Sequence, residues 1–397
     1  MRKKTVRDIE VREKRVLVRV DYNVPLDREA RRILDDSRIR ATLPTVNYLR
    51  EQRARLILCS HLGRPDGKVV ESLRLAPVAA RLGELLGTRV ATADDCVGPA
   101  VEEAARSLKP GEVLLLENLR FHPEEEMNDS AFARSLASLA EVYVNDAFGT
   151  THRAHASTVG IPHYLQALAG FLLQKEIDTM GRALSNPKRP LAAIIGGAKV
   201  SDKVAVLNNI LEKVDSLLIG GGMASSFFKA QGYQVGKSKV EEDKLEVCRN
   251  ILKRAEQRGI CLLLPEDILV GTSLDNAKGA RVVMVSEVPP DMIIVDIGPK
   301  TLERFAQELN KAKTVIWNGP LGVFEVEEFS HGTKGLVKVL AGLKATTIIG
   351  GGSTAEVVEE MGMVDSMSHV STGGGASLEF MEGKTLPGVA ALLDKEE

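Results

Sequence analysis

Short apolar runs rich in branched side chains alternate with longer amphipathic stretches over almost the whole chain. In the first half the apolar runs fall at 16–20, 55–59, 112–116 and 141–145, each the length of a strand and bounded by turn residues. Between them, apolar positions recur at helical spacing near 38–52, 74–86, 98–108 and 129–139. The second half repeats the scheme. Strands are predicted near 191–195, 215–219, 260–264, 292–296, 314–317 and 346–349, and helices over 200–213, 241–258, 299–310, 332–341 and 353–361. Such alternation predicts an α/β protein, with βαβ units, right-handed crossovers, mostly parallel sheets and helices on both faces.

A chain of 397 residues exceeds what one hydrophobic core usually supports, so two domains are expected. The stretch GFLLQKEIDTMGRALSNPKRP, from Gly170, reads as one amphipathic helix ended by Asn186-Pro187. A helix leading straight into the next strand joins two domains more stiffly than a Gly/Ser linker would. The expected division is 1–170, a helical joint at 171–187, and 188–385, each domain doubly wound. No shorter internal repeat and no low-complexity segment interrupts it.

Composition narrows the function classes. An apolar share of 44% and a charged share of 27% are those of an ordinary soluble globular protein. The net charge of -2 predicts neither nucleic acid nor an acidic membrane as partner. Cys59, Cys96, Cys248 and Cys261 form no CxxC pair and read as free thiols in a reducing compartment. The opening MRKKTVRDIEVREKR has no apolar core of a secretory signal, and no run reaches the roughly 18–20 apolar residues needed to cross a bilayer. The expectation is a cytoplasmic protein.

The chemistry is sorted by half. RVDYN from Arg19, SHLGRP from Ser60, ENLRFH from Glu117 and THRAHAST from Thr151 bring arginine and histidine to loops of the first half. Arg38, His61, Arg64, Arg120, His122, His152, Arg153 and His155 come from four separate connections. One such residue alone is as well explained by a surface ion pair or a helix cap. Several converging on strand ends predict a site for a small polyanion, because the arginine fork matches phosphate and carboxylate oxygens. Asp21 and Asn23 could fix hydroxyls of that ligand or could simply be turn residues. A metal held by His152 and His155 is disfavoured by the arginine between them, and the absence of a GxSxG elbow disfavours a serine hydrolase.

The second half carries IIGGAK from Ile194, IGGGMA from Ile219, WNGPLG from Trp317, IGGGST from Ile349 and STGGGAS from Ser371. Glycine lets backbone N–H groups approach phosphate oxygens, and a following helix N-terminus adds its dipole. Neither a Walker loop nor a GxGxxG fingerprint is present. Lys199 and Lys203, four apart in GGAKVSDK, would share one face of the opening helix turns, facing phosphates or merely solvent. Glu325 is placed to accept ribose hydroxyls or to lie on the surface. Trp317 reads as core packing. In open parallel sheets, loops at the carboxyl ends of strands are where ligands bind.

Taken together, and in this order, these strings closely resemble the phosphoglycerate kinase family, nearly end to end from RVDYNVP at Arg19 to TLPGVAAL at Thr385. The resemblance implies two Rossmann-like domains joined by a hinge helix, a monomer, and a C-terminal tail at 386–397 that packs back onto the N-terminal domain. It implies that Asp21, Asn23, Arg38, His61, Arg64, Arg120 and Arg153 hold 3-phosphoglycerate or 1,3-bisphosphoglycerate. Gly197, Lys203, Gly221, Asn318, Glu325, Gly351, Gly352, Ser353 and Thr354 would hold ADP or ATP with Mg²⁺. Arg38, Lys199, Lys203, Gly351 and Gly374 would act on the moving phosphoryl group, and Gly373 to Gly375 would close over it. The reaction needs no general base, because a carboxylate nucleophile is ionised at pH 7.

One position departs from the family pattern. Where the family commonly reads GGGD, with the aspartate on magnesium, this chain has Ser353 followed by Thr354. A hydroxyl can replace the carboxylate as a weaker ligand, so the metal would be held mainly by the nucleotide with Ser353 or Thr354 assisting. Two other readings are a non-catalytic two-lobed sensor and a nicotinamide-dependent dehydrogenase. A sensor would not need Arg38 and the lysine pair, and a dehydrogenase would need the missing fingerprint.

Overall fold

The computed structural model describes residues 2–27 and 32–395. The chain forms two compact units: Met1–Asp178 with Thr385–Glu397, and Thr179–Lys384.

The first unit is built on six parallel strands, β1 (Arg15–Arg19), β2 (Arg55–Cys59), β3 (Val90–Thr92), β4 (Val113–Leu115), β5 (Val142–Asn145) and β6 (Gln166–Ala169), in the order β3-β4-β2-β1-β5-β6. Crossovers run through α1 (Ser37–Glu51), α2 (Ala76–Leu86), α3 (Pro99–Ser107), the short α4 (Pro123–Glu126) and α5 (Ser130–Ala137). The apolar face of α1, Ile39, Val46 and Leu49, packs into the same core as Val16, Val18, Leu56 and Leu58 of β1 and β2. Burial of that face leaves Arg38, in the first helical turn, free to point at the strand ends. The sheet changes direction between β1 and β5, whose connections leave toward opposite edges. A strand order that reverses in this way opens a crevice at the carboxyl ends.

The helix α6 (Phe171–Ser185) follows β6, and the division between the units falls within it. The chain also returns to the first unit at its end. Gly388 N donates to Thr151 O at 2.8 Å, Leu393 N donates to Ala167 O at 3.0 Å, and Lys3 pairs with Asp394 at 2.8 Å. Of the tail predicted at 386–397, Glu396 and Glu397 lie outside the described residues.

The second unit has its own parallel sheet: β7 (Leu191–Ile195), β8 (Ser216–Ile219), β9 (Cys261–Leu263), β13 (Thr314–Asn318), β14 (Thr346–Gly350) and β15 (His369–Val370), in the order β15-β14-β13-β7-β8-β9. Trp317 is fully buried in its core and donates its ring N–H to Gly319 O at 2.8 Å. The helices are α7 (Val204–Leu211), α8 (Ala224–Ala230), α9 (Leu245–Gln257), α10 (Pro299–Leu309), α11 (His331–Ala341), α12 (Gly352–Glu360) and α13 (Gly374–Met381). A last short helix, α14 (Pro387–Ala390), belongs to the returning tail.

Two expectations are corrected here. The strand predicted near 292–296 is β12 (Ile293–Ile297), and it lies outside the parallel sheet. It forms a separate antiparallel sheet with β10 (Asp267–Gly271) and β11 (Arg281–Met284), in the order β11-β10-β12. The loop between β10 and β11 holds Asp275-Asn276 and Gly279 but no helix, so the strands can pair only as a hairpin. The helix predicted from residue 200 begins only at Val204, because 199–203 form a turn ending in Lys203 as the residue before the helix.

Candidate active site

In the first unit, charged side chains gather around the crevice between β1 and β5. Asp21 follows β1 and is almost fully buried. Arg38 donates to its Oδ2 at 2.7 Å. Burial alone would raise the Asp21 pKa, but the charges of Arg38 and Arg19 outweigh it and hold the carboxyl below its ordinary value. Asn23 accepts from Gly63 N at 2.8 Å and thereby ties the loop after β1 to the loop after β2. Asn118 does the same for the loop after β4, accepting from Leu62 N at 3.2 Å and donating to Leu62 O at 2.8 Å. These amide bridges turn three strand-end loops into one surface.

His61 is buried, and its pKa is pushed well below normal, first by burial and then by the cations Arg19, Arg120 and Arg38. It is therefore a neutral imidazole. Arg19 Nη2 lies 3.1 Å from His61 Nδ1, and arginine can only donate. Nδ1 is thus the acceptor, and the ring proton sits on Nε2, available to donate to a ligand oxygen. Arg120 is buried, donates to Gly63 O at 2.9 Å and lies 3.2 Å from Glu126. Arg153 is exposed and close enough to Arg120 to depress its pKa after burial has done so. Arg64 is exposed and forms no ion pair among the described residues.

Beneath this layer lies a set of groups, Arg19, Ser157, Glu125 and Tyr143, that the sequence did not single out as functional, together with the predicted His155. Arg19, almost fully buried, donates from Nε to Ser157 Oγ at 3.0 Å. Ser157 N donates to fully buried Glu125 at 2.9 Å, and the Tyr143 hydroxyl donates to Ser157 O at 2.6 Å. His155, buried at 3.9 Å from Glu125, has its pKa lowered to about 4 by burial and by Arg19, Arg120 and Arg153. His122 turns away from the cluster to Asp95, at 2.7 Å. His152 stays beside Arg153, whose Nε lies 3.3 Å from His152 Nε2.

The second unit has a cavity of about 660 Å³ with a different wall. It opens where its sheet reverses direction, between β7 and β13. There Gly196 N donates to Asn318 O at 2.9 Å and Gly197 N to Pro320 O at 3.0 Å. The turns at 197–198, 221–222, 318–320, 351–354 and 374–375 line it. Gly221 has φ +73°, and a Cβ there would meet Gly197 N and O at 2.7 Å. At Gly374 a Cβ would lie 2.8 Å from Gly352 N. Side chains at these two positions would clash with the facing backbone and force the turns apart.

Polar groups stand on this backbone bed. Lys203 hydrogen-bonds Asn318 Oδ1, and burial lowers its pKa to about 8 despite Asp202 and Glu382 nearby. The Asn318 amide nitrogen is buried with no partner and faces the turn at Gly351. A buried N–H₂ without an acceptor is costly unless a ligand supplies one. Thr354 is buried and accepts from Gly319 N at 2.8 Å, so its hydroxyl is held inside the fold. Ser353 and Glu325 line the cavity as exposed residues. Lys199 is exposed and does not line it. Because helix α7 starts at Val204, the two lysines share no helix face, contrary to the reading from their spacing.

The sequence reading missed Lys237 and Lys239, which stand on the cavity wall, and the apolar side formed by Leu274, Ile294, Phe324 and Leu378. The short basic string GKSK was a usable signal for the lysines. The apolar wall comes partly from β12, whose true sheet was not foreseen.

The family model for phosphoglycerate kinase matches residues 6–384. The chain belongs to the phosphoglycerate kinase family. Its activity is accordingly phosphoryl transfer with a carboxyl group as acceptor, a step of glycolysis. It is 59% identical over 395 residues to the phosphoglycerate kinase of Moorella thermoacetica, covering 100% of both chains. It is 54% identical over 395 residues to that of Pelotomaculum thermopropionicum, again covering 100% of both. Among solved structures, phosphoglycerate kinase from Coxiella burnetii matches with a TM-score of 0.87 at 40% identity, and that from Pyrococcus horikoshii with 0.85 at 33%, each over 98% of both chains.

Proposed function

We propose that the arginine face of the first unit holds 3-phosphoglycerate or 1,3-bisphosphoglycerate and that the glycine cavity of the second holds ADP or ATP. The observation that carries the nucleotide assignment is the unpartnered Asn318 amide beside Lys203, on a bed of close-packed glycine backbone. Phosphate oxygens satisfy both groups at once. The apolar side of the cavity, with Leu274 and Phe324, suits the base, and Glu325 suits the ribose hydroxyls.

On the acid side, Asp21 and Asn23 accept from or orient the ligand's hydroxyl, neutral His61 donates from Nε2, and Arg64, Arg120 and Arg153 meet its phosphate. Arg38 is the residue for the moving group. Its hydrogen bond to the Asp21 carboxylate supports this role, because the fork already meets an anionic oxygen there. In the direction that consumes ATP, the nucleophile is an ionised carboxylate, so no proton needs to be removed. Rate acceleration then comes from alignment and from neutralising charge on the transferring oxygens. Arg38 does this from the acid side, and Lys203, Lys199 and the turns at Gly351 and Gly374 from the nucleotide side. Lys203, with a pKa of about 8, remains mainly protonated at pH 7, and nearby phosphates hold it so.

The 351–354 turn offers a magnesium ion one accessible hydroxyl, Ser353, and no carboxylate of its own. That donor set fits an ion carried chiefly by the nucleotide phosphates, with Ser353 assisting. When bound, the ion supplies further neutralisation of the phosphate charge. Transfer requires the two faces to meet while excluding water, so closure about α6 belongs to this reading. So do a monomeric state and a cytoplasmic location.

A coupled assay with 3-phosphoglycerate, MgATP and the dehydrogenase that consumes the product tests the proposal. Magnesium-dependent turnover is expected. Binding of both ligands without turnover would overturn the catalytic reading in favour of a sensor.

A further inference from the structure

The first unit carries another cluster of side chains that phosphoryl transfer does not use. Asp95 and Cys96 lie in the loop after β3, and His122 ends the turn after β4. Since β3 and β4 are parallel neighbours, the two loops emerge side by side. One carboxylate oxygen of Asp95, the Cys96 sulfur and one ring nitrogen of His122 all lie within 4.8 Å of one another. The donors are tied to one another and to their surroundings. Cys96 N donates to Asp95 Oδ1 at 2.6 Å, Glu117 N donates to Asp95 O at 3.3 Å, and the His122 ring stacks on Phe132 with centroids 5.1 Å apart. Cys96 is fully buried, whereas the side chains of His122 and Asp95 are 28% and 53% exposed, so the sulfur lies beneath two ligands that reach solvent.

We propose that Asp95, Cys96 and His122 form a binding site for a borderline-soft divalent cation of the zinc class. Thiolate, imidazole and carboxylate together are a zinc donor set, with three protein ligands leaving a fourth position for water. Zinc bonds of about 2.0–2.3 Å place tetrahedral ligand atoms about 3.3–3.8 Å apart. His122 Nε2 and Asp95 Oδ1, at 2.7 Å, must part slightly to reach that spacing. Magnesium and calcium prefer oxygen ligands throughout and are not favoured by a sulfur and a nitrogen. On binding, the His122–Asp95 hydrogen bond gives way to two metal bonds, the ring proton of His122 moves to Nδ1 so that Nε2 is free to ligate, and the Cys96 thiol releases its proton to solvent. The ion would tie the loop after β3 to the turn that carries Arg120. No sequence motif announces this set, because it joins two adjacent residues on one loop to a third on another.

The test is titration of the full chain with Co²⁺ in the absence of nucleotide, in a Cys261→Ser background that removes the exposed thiol. One equivalent of Co²⁺ should bind with a thiolate-to-cobalt absorption band in the near-ultraviolet, and Zn²⁺ should abolish the band stoichiometrically. Zn²⁺ should also raise the thermal midpoint. Asp95→Asn and His122→Gln should each weaken binding at least about tenfold, and Cys96→Ser should remove the band. Asp95 is the more exposed ligand, so Asp95→Asn keeps the test decisive even if Cys96→Ser fails to fold. Absence of stoichiometric binding, binding without the thiolate band, or unchanged affinity in both Asp95→Asn and His122→Gln would each overturn the assignment.

Discussion

In the first unit the strand-end groups are charged and already engaged: Arg38 on Asp21, Arg120 on Gly63 O, His61 against Arg19. In the second unit the corresponding strand ends are nearly bare backbone, and one buried amide, Asn318 Nδ2, has no partner. Both faces stand where a parallel sheet reverses direction, so the frame does not account for the difference. The ligands proposed for them do. A small acid is gripped by a few strong, directional charges that must be kept apart by buried counter-charges such as Glu125 when no ligand is present. A nucleotide is gripped by many weak amide contacts, and these need close approach more than charge.

That contrast predicts different consequences of substitution. The largest belongs to Arg38. Arg38→Ala should lower kcat on the order of 10³-fold or more while leaving ADP binding nearly unchanged, as steady-state kinetics and calorimetry would show. An equal loss in ADP affinity would break the division of labour. Lys203→Ala should reduce kcat/KM for ATP by about 10²–10³-fold with the affinity for 3-phosphoglycerate preserved. A variant affecting only the acid would place Lys203 on the wrong face.

Acid stability should be set by the arginine side. His155 is held neutral, with its pKa lowered to about 4, and His61 is shifted the same way. The unfolded chain takes up these protons near pH 6.5, whereas the folded chain resists. Stability is therefore fully present above about pH 6.5 and is lost as pH falls toward 4, by about 2–3 kcal/mol for His155 alone. Denaturant unfolding at several pH values would show this slope, and His155→Gln should flatten it. No slope would mean that folding does not shift His155, and a slope of the opposite sign that the fold stabilises its imidazolium.

On the glycine side, stability should respond to bulk. Gly221→Ala forces a side chain into φ +73° against Gly197 and should cost about 1–3 kcal/mol, together with weaker ADP binding. Parent-like unfolding and ADP affinity would show that the turn tolerates a side chain. The smallest effect belongs to Ser353→Ala, which should raise the magnesium concentration needed for half-maximal rate a few-fold, on the order of one lost hydrogen-bond equivalent. An unchanged magnesium dependence would remove Ser353 as a ligand.

The central strands were legible because β1, β2, β7, β8, β13 and β14 are apolar runs buried on both faces. The strands β3, β6 and β15 were not, because each is short and lies at a sheet edge, where a few residues carry little pattern. The glycine turns were legible for a physical reason: a backbone that must approach another backbone leaves its mark as missing side chains. The shared helix face of Lys199 and Lys203 was misread, because their spacing was taken for a helix that the turn at 199–203 does not provide. Glu125 was invisible because PEEE reads as a solvated helix start. Its burial depends on Ser157 and Arg19, far off in sequence.

The most direct test of the two-face account is calorimetric binding of 3-phosphoglycerate and of MgADP, each alone, to the parent, Arg120→Ala and Gly221→Ala. The account predicts a crossed pattern: Arg120→Ala loses the acid and keeps the nucleotide, and Gly221→Ala does the reverse. If either substitution abolished the other face's ligand in a protein that remains folded, the assignment of acid to arginines and nucleotide to glycines would be contradicted.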